Sequence, residues 1–147
     1  MRLDETDVKI LKTLLSDARL SSRQIAKQCG VSIGTVLSRI KKMEKGGTIK
    51  GYSALLDQEK LGYELTVVSE ITVSKGRLLE MENEIARLPN VCCVYDVTGL
   101  IDAIIVAKFK NREELGKFTK RLLGLPYVER TNTHVVLTTI KEDLRII

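Results

Sequence analysis

Leu20-Ser21-Ser22-Arg23-Gln24-Ile25-Ala26-Lys27-Gln28-Cys29-Gly30-Val31-Ser32-Ile33-Gly34-Thr35-Val36 decides the fold, because it holds two helix starts of the same chemistry with one glycine between them. Ser21 and Gln24 have the spacing of a capping box, in which the hydroxyl takes the N–H three residues on and the glutamine returns to the serine N–H. Leu20 and Ile25 flank that box as a hydrophobic staple. Gly30 then ends the helix after barely two turns. Ser32 caps the next start, with Val31 and Val36 as its staple. Two short capped helices joined this tightly cannot run end to end, so the stretch predicts a helix-turn-helix.

Upstream, Asp4 with Asp7 reads as the start of an earlier helix, with Val8, Leu11, Leu14 and Leu15 as its apolar face. Downstream, at about 100° per residue, Ile33, Val36, Leu37, Ile40 and Met43 fall on one arc of the third helix. Gly34, Thr35, Ser38, Arg39, Lys41, Lys42 and Lys45 fall on the other. Small and hydroxylated residues near a helix start let it approach base edges, and an arginine can reach a guanine or a phosphate. The segment 19–50 carries eight Lys or Arg against Glu44 alone, the footprint of a surface for a polyanion. A solvated helix face would alternate its charge signs to form pairs one turn apart, and this one does not. Ser21, Arg23, Ser32, Gly34, Thr35, Ser38, Arg39, Lys42 and Lys45 are the expected contacts with double-stranded DNA. The competing reading is a helical protein-interaction module of the same shape.

The charge excess stops there. Residues 1–60 hold twelve basic against seven acidic side chains, and residues 61–147 hold twelve of each. The apolar period also changes, from 3.6 to 2, after a polar stretch that ends at Gly62. Tyr63 to Val73 reads as a strand, Arg77 to Leu88 as a helix, Val91 to Thr98 and Ala103 to Phe109 as strands, Arg112 to Leu123 as a helix, and Val128 to Thr139 as a last strand. Leu88-Pro89-Asn90-Val91 and Leu125-Pro126-Tyr127-Val128 repeat one helix-to-strand corner, 37 residues apart. The order βαββαβ predicts a ferredoxin-like sheet. The expected fold is therefore α+β. A helix-turn-helix domain of winged-helix type spans 1–50, a hinge strand and linker 51–62, and a ferredoxin-like domain 63–147. The strand from Ala103 to Phe109 is apolar on both sides, whereas such a sheet has helices on one face only. A second copy is the economical cover, and a two-fold dimer would also present two helix-turn-helix units to a near-palindromic site.

No GxSxG, HExxH, P-loop or GxGxxG pattern occurs, and no acid–base pair suggests itself, so no catalytic residue, metal site or cofactor is expected. His134 lies in an alternating strand and reads as structural. Cys29, Cys92 and Cys93 are odd in number, lack CxxC spacing and read as buried thiols. No run approaches the ~18 apolar residues of a membrane span, and Met1-Arg2-Leu3-Asp4-Glu5 lacks the apolar stretch of a secretory leader, so a cytoplasmic protein is expected. The alternative from another class is a metabolic sensor or enzyme on the ferredoxin-like domain, with a helical interaction arm.

A family resemblance adds to this. Leu3-Asp4 with Asp7, Ile10-Leu11, Asp17-Ala18-Arg19, Ile25-Ala26, Val31-Ser32 to Val36, Arg39-Ile40, Gly47-Thr48-Ile49, Gly51-Tyr52, Leu61-Gly62, Leu88-Pro89 to Val91, Val97-Thr98-Gly99 and Asp102 resemble the leucine-responsive/asparagine-regulator (Lrp/AsnC) family of prokaryotic transcriptional regulators. The resemblance spans nearly the whole chain. It implies a DNA-binding N-terminal domain, a hinge arm, and a C-terminal domain that dimerises and assembles further to tetramers or octamers. It also implies an amino-acid effector between subunits, near the turn Gly99-Leu100-Ile101-Asp102. Asp102 could there receive an α-ammonium group, though Gly99 and Asp102 also suit a plain hairpin turn. Thr131 and Thr133 on the last strand are weaker candidates for the same site.

Overall fold

The computed structural model describes residues 2–74 and 76–147 and contains five helices and four strands among them. The chain divides into two compact units, one of Met1–Leu55 with Lys141–Ile147 and one of Leu56–Ile140.

The first unit holds α1 (Glu5–Ser16), α2 (Ser22–Cys29) and α3 (Ile33–Lys45). Both capping boxes form: Asp4 and Asp7 exchange side-chain and backbone bonds at 2.9 and 3.1 Å, and Ser21 and Gln24 at 3.3 and 2.9 Å. Gly30 adopts φ +69°, a left-handed conformation in which a side chain would be strained. Its N–H and that of Val31 both turn back to the Ala26 carbonyl, which closes α2 and sets the chain into the Ser32 cap of α3. The core is Ile10, Ile25, Ala26, Val36 and Met43, ringed by Leu3, Leu11, Leu14, Leu20, Val31, Ile40 and Ile49.

Two faces differ from the sequence expectation. On α1 the buried centre is Ile10 beside Asp7, while Leu15 stands 37% exposed. On α3, Ile33 and Leu37 are exposed, so the inward arc is narrower than the wheel suggested. The expected hinge strand forms no sheet pairing, since no strand is assigned among the described residues before Leu65. The Tyr52 hydroxyl instead donates to Glu44 at 2.9 Å and fastens the arm to the end of α3.

The second unit has β1 (Leu65–Val73), α4 (Leu78–Ile85), β2 (Val91–Asp96), β3 (Ala103–Phe109), α5 (Arg112–Leu123) and β4 (Val128–Val135). The sheet is antiparallel in the order β2-β3-β1-β4, the ferredoxin-like arrangement. Both Leu-Pro corners close alike, with the Val91 N–H on the Leu88 carbonyl at 3.0 Å and the Val128 N–H on Leu125 at 3.1 Å. The last strand stops at Val135, four residues short of the expected Thr139.

Val67, Ile71, Ile105, Ala107 and Phe109 lie under Met81, Ile85, Phe118 and Leu122 of the two helices, all within one core. Buried Ser69 meets the Thr133 hydroxyl at 2.9 Å, which satisfies the polar group on this face. The alternate residues Val68, Glu70 and Thr72 of β1 and Ile104 and Val106 of β3 are only half-buried and form the opposite, helix-free face. A register shift at Val91/Cys93 makes Cys92 a bulge residue, exposed rather than buried as expected; Cys29 and Cys93 are half-buried.

Candidate nucleic-acid interface and ligand cavity

The exposed arc of α3 begins at its cap. Ser32 Oγ accepts the Thr35 N–H at 3.0 Å and lies 2.9 Å from the Thr35 hydroxyl, which fixes the first turn. From there Ser32, Gly34, Ser38, Lys41, Lys42 and Lys45 are exposed and Thr35 is half-buried. This strip is small at its start, basic at its end and free of acid, as the sequence led us to expect. Ser21 and Arg23 are exposed at the start of α2, where the Ser21 hydroxyl also donates to Gln24 at 2.8 Å. Ile33 and Leu37 flank the strip with apolar surface of the kind that meets a thymine methyl. Sequence reasoning assigned those two to the core because the wheel cannot tell the rim of an apolar arc from its centre.

Arg39 has partners within the chain that its sequence position did not show. Its guanidinium turns to the start of α1, bonded to the Asp4 carboxylate and 3.2 Å from each oxygen of Asp7, which is 2% exposed. The Asp7 N–H first and then Arg39 hold the Asp4 carboxyl below its usual range. Through Nη1, Arg39 thus ties α3 to the start of α1.

In the second unit, Gly99 has φ +127° and Leu100 is fully exposed at the tip of the β2–β3 turn. Asp102 ties that turn to β1: its side chain accepts the Val73 N–H at 2.8 Å, and its own N–H donates to Ile71 at 2.9 Å. The carboxylate expected to receive an ammonium group thus already holds the strand end. Beside the turn, on the helix-free face, lies a cavity of ≈ 350 Å³ lined by Glu70, Thr72, Leu100, Ile101, Arg130 and Asn132. Leu100 and Ile101 of the expected set line it. Thr131 and Thr133 pair opposite Ile71 and Ser69 on the helix-covered face, so the structure places them away from the cavity. Their neighbours Arg130 and Asn132, opposite Thr72 and Glu70, line it instead. Strand residues alternate faces, and a register offset of one exchanges the two sets. Asn132 Nδ2 donates to Glu70 at 3.1 Å, and His134 Nε2 lies 3.6 Å from the other Glu70 oxygen.

The comparisons with known proteins agree with this geometry. Residues 3–50 match the winged helix-turn-helix DNA-binding family, and residues 66–146 match the Lrp/AsnC ligand binding domain. A protein of Pyrococcus furiosus named an uncharacterized HTH-type transcriptional regulator is 49% identical over 146 residues, covering 99% of each chain. The solved structure of Bacillus subtilis LrpC is 29% identical at TM-score 0.86, with 97% of this chain and 100% of that one covered. A transcriptional regulator of Neisseria meningitidis, solved with L-Met, is 26% identical at TM-score 0.90, with 99% and 97% covered. With a helix-turn-helix DNA-binding domain in front of a ligand-binding domain matched over 66–146, the chain belongs to the Lrp/AsnC family of transcriptional regulators.

Proposed function

We propose that this regulator acts in the cytoplasm as a homodimer or a higher assembly of dimers, reads a near-palindromic duplex through α3, and responds to an amino acid. It performs no catalysis on this reading. The observation that carries the proposal is the exposed strip of Ser32, Gly34, Ser38, Lys41, Lys42 and Lys45, beside which Glu44 is the one acid of α3 and is bonded to Tyr52, on a helix whose opposite face is locked into the core by Val36 and Met43. Gly34, Thr35 and Ser38 sit where α3 would approach base edges. Lys42 and Lys45, with Arg23 and the capping residues Ser21 and Ser32, take phosphates.

A second copy supplies the cover for Ile104 and Val106, since burying apolar area of this kind drives association. The effector reading rests on the ligand-binding domain, on the cavity, and on the similar Neisseria regulator having been solved with L-Met. Selection of binding sites from a random duplex pool with the purified full chain tests the DNA part. The expected result is enrichment of a motif with two related halves, spaced by about one helical turn or a multiple of it. A pool that stays random over repeated rounds would contradict it.

A further inference from the structure

We propose that α3 reads thymine methyl groups in the major groove, with Gly34 letting its first turn sink towards the base edges and with Ile33 and Leu37 covering the methyls. This rests on the reading of α3 as the helix that meets the duplex, and it names the base feature that the helix selects.

Gly34 lies inside α3 and is not among the glycines of positive φ, and a Cβ built on it would meet only Ser32 Oγ at 3.8 Å. The fold therefore has room for a side chain at this position, and alanine would favour the helix. At about 100° per residue, Gly34 falls at the middle of the exposed arc, opposite the fully buried Val36 and Met43. A side chain missing from the crest of the exposed face, with no need for its absence inside the chain, leaves clearance for a close approach of the backbone to a partner.

Ile33 and Leu37 stand beside it, one turn apart on the same side, 42% and 54% exposed. Neither belongs to the core of the helical unit or to the partly buried residues packed against that core. Along the helix axis they are about 6 Å apart, close to two base-pair steps of roughly 3.4 Å. Two aliphatic side chains offer far less area than the ~800 Å² that each partner gives to a stable protein interface. Ser38, Lys41, Lys42 and Lys45 continue the same face with a hydroxyl and positive charge, which an apolar protein partner would not cover. Small, aliphatic and basic residues in this order along one helix fit a major groove. The lysines meet phosphates, and the aliphatic pair meets the apolar group that the groove displays, the methyl of thymine.

The test measures the affinity of the full chain for the duplex obtained by site selection, by fluorescence anisotropy at fixed salt, with each thymine in turn replaced by deoxyuridine, which lacks only the methyl. At least one thymine in each half is expected to lose about 4-fold in affinity, the value of one buried methyl group, and the symmetric pair about 15-fold when both are changed. Ile33→Ala or Leu37→Ala should remove the sensitivity at its own thymine and leave the log–log salt slope unchanged, because neither residue meets a phosphate. Gly34→Ala should melt no lower than the wild type and yet bind the duplex more weakly by roughly 10-fold or more. A glycine kept for the fold would lose stability instead. Because the uridine scan is made on the wild-type chain, it does not depend on how the variants fold. A flat scan, a selected motif without A·T pairs, or Gly34→Ala binding like the wild type overturns the methyl reading while leaving α3 as the helix that meets DNA. A pool that stays random removes that role of α3 and the methyl reading together.

Discussion

Replacing Asp7 with alanine tests the internal link that sets the recognition helix. Asp7 is 2% exposed, accepts the Asp4 N–H at 3.1 Å and holds Arg39 at 3.2 Å from each of its oxygens. The substitution removes one capping bond and a charge-assisted contact. Caps contribute about 0.5–2 kcal/mol and charged hydrogen bonds about 1.5–3 kcal/mol, partly offset because a buried carboxylate no longer has to be desolvated. The net cost works out at about 2–3 kcal/mol, a large share of the ~5 kcal/mol at the low end for small domains. At about 4–8 °C per kcal/mol the helical unit should melt roughly 10–20 °C earlier, read by circular dichroism. Arg39→Met should lower the melting point for the same reason, and the double variant should lose less than the sum of the two. Arg39→Met should also weaken all DNA sequences together, because Arg39 ties α3 to the start of α1. Asp7→Ala melting with the wild type, or Arg39→Met flattening sequence preference at an unchanged melting point, would refute this reasoning.

Ile104→Glu places a charge on the helix-free sheet face, where an unpaired buried charge costs several kcal/mol, so sedimentation should show a folded monomer with reduced DNA affinity; a persisting dimer would count against the proposed cover. Glu82 has one buried oxygen without a partner among the described residues, and burial, then Asp96, pushes its pKa up. The folded state therefore binds this proton more tightly than the unfolded chain, and stability falls as pH rises from the ordinary glutamate range through the raised folded value. Glu82→Gln should raise the melting temperature at neutral pH relative to acid pH. The lowered Asp4, Glu113 and Asp143 carboxyls run the other way and cancel in the comparison with wild type. Identical pH profiles for the two proteins would dismiss the idea.

What was legible from sequence was local. Asp4 with Asp7, Ser21 with Gln24, Gly30, Ser32 and the two Leu-Pro corners state their own geometry within four residues, and each forms as read. The order of strands and helices followed from the change of apolar period. Features that depend on distant partners stayed hidden. Arg39 meets Asp4 from 35 residues away, so an arginine on an otherwise DNA-facing helix looked free. The cavity depends on which residues of β4 share a face with Glu70, and that parity is set by pairing with β1, 62 residues away for Glu70 and Asn132. Choosing Thr131 and Thr133 rather than Arg130 and Asn132 was an offset of one. Leu37 and Ile33 stand out because α1 and α2 cover less of α3 than an ideal wheel allows.

The most direct test of the account is the salt dependence of affinity for the selected duplex, compared between the wild type and a Lys42→Ala, Lys45→Ala double variant. If the exposed strip of α3 carries DNA binding, the log–log plot falls by about 0.9 per phosphate contacted, and the double variant shallows it by about 2 for each helix-turn-helix engaged. Its preference for the selected site over random duplex should remain close to that of the wild type, because phosphate contacts carry no sequence information. An affinity indifferent to salt, or a slope that the double variant leaves unchanged, would contradict the assignment of α3 as the nucleic-acid surface.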